Sequence, residues 1–172
     1  SHWNAKKSLG DWLKEHDVPG IYGIDTRELT KILREKGSMK GKIVFKGANE
    51  IEFYDPNIEN QVAIASCKEV LTYGNGDKKV VLVDCGVKHN IIRSLLKRNV
   101  TVIRVPWDYD FNQLEWDGLF ISNGPGNPDF CEETVKNIRK AMEGSKPICG
   151  ICMGNQLLSK AGGATIYKLK YG

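Results

Sequence analysis

No stretch of the sequence approaches the roughly 20 consecutive apolar residues that a membrane-spanning helix requires, so a helical membrane protein is excluded. The first residues do not read as a secretory signal or a transit segment either. Charge of one sign is not in excess: 25 Lys and Arg stand against 21 Asp and Glu, a net charge of +4. The charges are interspersed, with no dense basic stripe carrying interleaved aromatics, which argues against nucleic acid as a partner. Cysteines are few and odd in number: Cys67, Cys85, Cys131, Cys149 and Cys152. Their spacing fits neither a zinc ribbon nor a disulfide framework, so no metal site is expected and a reducing compartment is implied.

What the chain does have is enough apolar material, 41% of 172 residues, for one domain or two small ones. It is organised around Pro147-Ile148-Cys149-Gly150-Ile151-Cys152-Met153-Gly154-Asn155-Gln156. Here a short apolar run delivers Cys152 between two glycines and turns into a helix. The pattern Gly-x-nucleophile-x-Gly is that of a nucleophile elbow, where only glycine at both flanking positions lets strand and helix pass closely. A thiol at a helix N-terminus is expected to have a lowered pKa, and the amide of Met153 would point at an oxyanion formed when Cys152 attacks a carbonyl. The structural alternative is a buried thiol in a strand-end turn, the role expected for Cys149.

Taken in order, residues 3–16 predict a short amphipathic helix on Leu9, Trp12 and Leu13, with Ser8 as N-cap and Pro19-Gly20 after it. Asp25 or Thr26 caps a second helix that carries Leu29, Ile32 and Leu33 on one face and stops at Gly37. Its Arg27 and Arg34 are expected on a solvated face. Residues 41–45 and 51–53 alternate weakly and predict two short strands around a turn at 46–49. Glycines and turn formers at 73–78 suggest a linker between a smaller α+β part, 1–72, and a more regular part, 79–172. Beyond it, strands are expected at 79–83, 101–105, 117–121 and 146–149, with helices at 89–98 and 132–142. That alternation predicts an α/β fold, an open parallel sheet with helices on both faces and a ligand crevice beyond the strands' carboxyl ends. Ser122-Asn123-Gly124-Pro125-Gly126-Asn127-Pro128 then sits at the same sheet edge as Cys152, and its tight turn can aim a backbone N–H into the crevice.

These two motifs together resemble the triad-type glutamine amidotransferases. Gly23-Ile24-Asp25-Thr26-Arg27-Glu28-Leu29-Thr30, Asp84-Cys85-Gly86-Val87-Lys88 and Val105-Pro106-Trp107 are similar to the glutaminase (small-subunit) portion of carbamoyl-phosphate synthetase, along essentially the whole chain. The resemblance implies hydrolysis of glutamine through a cysteine thioester, with ammonia passing to a synthetase (large) portion. That portion would use ATP, Mg and bicarbonate; no cofactor is implied for these residues. By position, Cys152 would be the nucleophile, the amides of Met153 and Gly124 the oxyanion hole, and Gln156 and Gly126 the glutamine contacts. Met153 stands where the commonest pattern has leucine and Asn155 where it has histidine. Asn155 and Gly126-Asn127-Pro128 look like the mitochondrial, urea-cycle type, which in mammals carries serine at the position of Cys152. A mitochondrial matrix location is therefore expected, with the cytoplasm as the alternative. The family's catalytic His and Glu lie downstream of the nucleophile and its small domain begins ahead of Ser1, so the chain is expected to be a segment of a longer polypeptide. His2, His16 and His89 all precede Cys152, and His89 is expected to be solvated or capping. The alternative function is a non-catalytic regulatory or scaffold domain of an ammonia-dependent synthetase.

Overall fold

The computed structural model describes residues 3–169, which divide into two compact units, one made of residues 3–41 with 169 and one of residues 42–168. In the first unit, helix α1 (Leu9–Glu15) starts where the Ser8 side chain accepts from Asp11 N–H at 3.1 Å. Helix α2 (Thr26–Lys36) starts where Asp25 accepts from Glu28 N–H at 2.9 Å, and it ends at Gly37, whose φ of 85° suits a residue without Cβ. Ser8 is the cap expected, and of the two candidates for α2 it is Asp25 that caps, with Thr26 the first helical residue. Neither helix buries a residue, and Arg27 and Arg34 are exposed.

The two strands expected at 41–45 and 51–53 do not form. A lone hairpin of such short strands is marginal in water, and the stretch is held instead by Lys42, whose Nζ donates to Ile51 O at 2.8 Å and lies 4.8 Å from the Phe53 ring centre. The smaller N-terminal part thus shows helices without its expected strands.

The second unit is built on five strands in the order β1-β3-β2-β4-β5: β1 (Leu71–Tyr73), β2 (Lys78–Asp84), β3 (Val100–Pro106), β4 (Gly118–Ile121) and β5 (Ile148–Gly150). β2, β3, β4 and β5 pair in parallel as expected, while β1 adds an antiparallel edge that the sequence pattern did not disclose. Val81, Leu82 and Val83 of β2 are fully buried because both sheet faces are covered. Helix α4 (His89–Leu96) packs Ile92 and Leu95 with Leu82 and Val102 on one face. Helices α5 (Glu132–Ala141) and α6 (Met153–Ala161) pack Val135, Ile138, Met153 and Leu157 with Val81, Val83 and Ile121 on the other. A short helix α3 (Gln61–Ala65) precedes β1 and was not foreseen. The stretch 73–78 lies inside this unit: Thr101 Oγ1 donates to Gly76 O at 2.7 Å, and a Cβ on Gly76 would lie 1.9 Å from Asn99 O. Pairing of Asp84 with Pro106, Val83 with Ile121 and Ile121 with Gly150 sets the carboxyl ends of the parallel strands side by side.

Candidate functional site

At that edge Ile151 N–H donates to Ile121 O at 3.1 Å, and the chain then reverses into α6 through Cys152. Cys152 is held at φ 55° and ψ −112°, a conformation that typically costs a non-glycine residue about 1–3 kcal/mol and persists only where its surroundings enforce it. The enforcement is visible. A Cβ on Gly150 would lie 2.4 Å from Gly154 O, and one on Gly154 would lie 2.1 Å from Ile121 O. Gly154 N–H donates to Ser122 O at 3.0 Å, tying the start of α6 to the loop after β4. Cys152 is exposed, while Met153 behind it is buried in the core. The Met153 N–H belongs to the first helical turn, where no intrahelical acceptor exists.

The loop after β4 is strapped to the loop after β2. Buried Ser122 accepts from Cys85 N–H at 2.9 Å and donates to Asn123 O at 2.8 Å. Asn123 accepts from Lys88 N–H at 3.2 Å and donates to Gly86 O at 3.0 Å. Gly124 lies so close to Cys85 that a Cβ there would sit 2.1 Å from Cys85 O. Gly126, at φ 81°, presses on α3, with 2.8 Å between its would-be Cβ and the Gln61 Cβ.

Beneath these loops, Asp84 ends β2 with a fully buried carboxylate. Oδ1 accepts from Gly86 N–H at 2.9 Å and Val87 N–H at 2.8 Å; Oδ2 accepts from Cys67 N–H at 2.7 Å and from Arg104 Nε and Nη2 at 2.8 and 2.5 Å. Burial pushes its pKa up, but the hydrogen bonds from Val87, Gly86, Cys67 and Arg104 outweigh burial and hold the carboxyl below its ordinary value. Sequence reasoning missed this cluster, because its only local signal is one acid at the end of an apolar strand.

A cavity of about 700 Å³ opens beside the loops, lined among others by Gly126, Gln156, Gln61, Pro125 and Tyr167. It brings together the two residues expected to contact glutamine. Cys152, Met153 and Gly124 are not part of its lining. Gln61 Nε2 donates to Tyr54 Oη at 2.6 Å, and Tyr54 donates to Glu59 at 3.0 Å. His89 opens α4 and is exposed, as expected, while His16 stacks on Trp12 with ring centres 4.5 Å apart; His2 lies outside the described residues.

The cysteines differ sharply. Burial pushes the Cys67 and Cys131 thiols up to about 11 and that of Cys85 further in the same direction. Cys149, expected to be buried, is exposed: it lies on β5, opposite Phe120 of β4, and β5 has β4 on one side and no strand of the described residues on the other. Among the described residues no group of three or more His, Cys, Asp or Glu could hold a metal ion, and no helix is long and apolar enough to cross a membrane.

Residues 81–172 match the glutamine amidotransferase class-I family, and residues 1–43 match the carbamoyl-phosphate synthase small chain, CPSase domain. The chain belongs to the class-I glutamine amidotransferases, and its relatives place it with the small-chain regions of carbamoyl-phosphate synthases. It is 51% identical to the multifunctional protein CAD of Squalus acanthias, over 100% of this chain and 8% of that one. With the mitochondrial carbamoyl-phosphate synthase [ammonia] of Homo sapiens it shares 51% identity, over 98% of this chain and 11% of that one. With the carbamoyl phosphate synthase small chain of Pyrococcus furiosus it shares 45%, over 100% of this chain and 50% of that one. The chain thus spans about a tenth of the longer relatives and half of the small chain.

Proposed function

We propose that these residues form part of a glutaminase that supplies ammonia for carbamoyl phosphate synthesis, with Cys152 as the nucleophile of an elbow. The observation that carries this reading is the backbone of Cys152, an exposed thiol held at φ 55° between the end of β5 and the first turn of α6. Its thiolate would attack the amide carbon of glutamine, and the oxyanion would take hydrogen bonds from the amides of Met153 and Gly124. A general base takes the thiol proton and, as the conjugate acid, returns it to the departing ammonia, after which water cleaves the thioester to glutamate. Gly126 and Gln156, which share the cavity wall, would hold the amino acid portion of the substrate. The partner is a synthetase portion that consumes the ammonia with ATP, Mg and bicarbonate. On the likeness of Asn155 and Gly126-Asn127-Pro128 to the urea-cycle type, we place the protein in the mitochondrial matrix; recovery in the cytosolic fraction would move it to the alternative.

The test is a comparison of nitrogen donors in the complete enzyme. Cys152→Ser should abolish synthesis from glutamine and leave synthesis from ammonia intact. If the unaltered enzyme uses ammonia alone, the domain is the non-catalytic scaffold of the alternative reading.

A further inference from the structure

We propose that Asp84 is a positioning residue for the oxyanion loop, holding the loop after β2 in the shape against which Gly124 rests. The proposal builds on the glutaminase reading of Cys152. A buried ion pair is a weak device for stability, because removing both charges from water offsets most of their attraction. What Asp84 supplies is geometry. Its two oxygens gather five N–H donors, three of them backbone amides, from residues 67, 86, 87 and 104. Two of those amides, of Gly86 and Val87, fix a turn that needs φ 116° at Gly86. That turn presents three groups to the loop after β4: Cys85 N–H to Ser122 Oγ, Gly86 O to Asn123 Nδ2, and Lys88 N–H to Asn123 Oδ1. Cys85 O then sets the floor under Gly124, leaving no room for a Cβ. The path from the carboxylate to the Gly124 peptide is therefore three hydrogen bonds between the two loops and one backbone contact. Arg104, reaching across from β3, donates Nε and Nη2 to Oδ2 and holds the carboxylate in place.

An oxyanion donor acts on the transition state and not on ground-state binding, so loosening its support lowers kcat with little change in KM. Misplacement by about 1 Å can cost on the order of a hundredfold in rate. In the complete enzyme, Asp84→Asn should lower kcat with glutamine by about tenfold or more. KM for glutamine and synthesis from ammonia should stay near their original values. Amide hydrogen exchange should quicken at residues 85–88 and 122–126 and stay unchanged in α5. Asn123→Ala, which cuts both Asn123 straps without touching the buried carboxylate, should lower kcat in the same direction and serves if Asp84→Asn does not fold. Unchanged kcat in Asn123→Ala, or exchange that rises everywhere while both activities fall together, would overturn the proposal. An unaltered enzyme without Cys152-dependent activity would instead defeat the glutaminase reading, and exchange at 122–126 in Asp84→Asn would still decide whether Asp84 holds that loop.

Discussion

A Cβ added to Gly154 would lie 2.1 Å from the carbonyl oxygen of Ile121, so the first turn of α6 and the end of β4 meet backbone to backbone. Gly154→Ala should therefore destabilise the fold by about 1–3 kcal/mol or more, despite a helix-propensity gain of about 1 kcal/mol. Chemical denaturation measures it, and a variant as stable as the original would refute the close approach.

Thiol chemistry offers a second check. With Cys67 and Cys131 pushed up to about 11, only about one part in a thousand of each is thiolate at pH 8. Brief iodoacetamide treatment followed by peptide mapping should modify Cys152 first among the five cysteines, with the exposed Cys149 as its competitor. Labelling of Cys67 and Cys131 should rise steadily with pH up to about 11 and stay slower for Cys131, which has no exposed surface. Early modification of either, with Cys152 untouched, would remove the case for an activated thiol.

Gly124→Ala forces a side chain against Cys85 O and must move the peptide proposed as an oxyanion donor. In the complete enzyme, turnover with glutamine should fall by roughly a hundredfold, the usual cost of losing one such donor, while ammonia-dependent synthesis continues. Equal loss of both activities would mean a folding defect instead.

Acid titration tests the state of Asp84. Its folded carboxyl lies below the ordinary value, so its contribution to stability is fully present above the unfolded pKa of about 3.9 and is lost as pH falls through the lower folded value. The stability difference between the original protein and Asp84→Asn should be constant near neutrality and shrink below about pH 4. A difference that persists unchanged into strong acid would show that the carboxylate is not ionised in the folded state.

The 172-residue chain by itself is expected not to release ammonia from glutamine. His89, the one histidine in the unit that carries Cys152, is exposed at the start of α4 and makes no hydrogen bond to Cys152. General acid–base help of about a hundred- to ten-thousandfold is then missing. Robust Cys152-dependent release by this chain would point to His89.

Much of this protein is written in short-range pattern. The β-branched run of β2, the apolar spacing of α4 and α5, and the caps Ser8 and Asp25 were legible because each depends on neighbours within four residues in the chain. The turn at Cys152 was legible for the same reason, since glycine at both flanks is a local requirement of crossing a strand with a helix. Partners distant in sequence decided the rest. Residues 41–45 and 51–53 carry a strand-like pattern and find no ladder, whereas the equally short 71–73 becomes a strand because β3 offers it an edge. Cys149 is exposed because of where β5 falls in the strand order, not because of its own neighbours. Asp84 became an anchor only when folding brought Cys67 and Arg104 to it, since a buried carboxylate is tolerable only where donors from several segments converge, and no local pattern in the chain records that convergence.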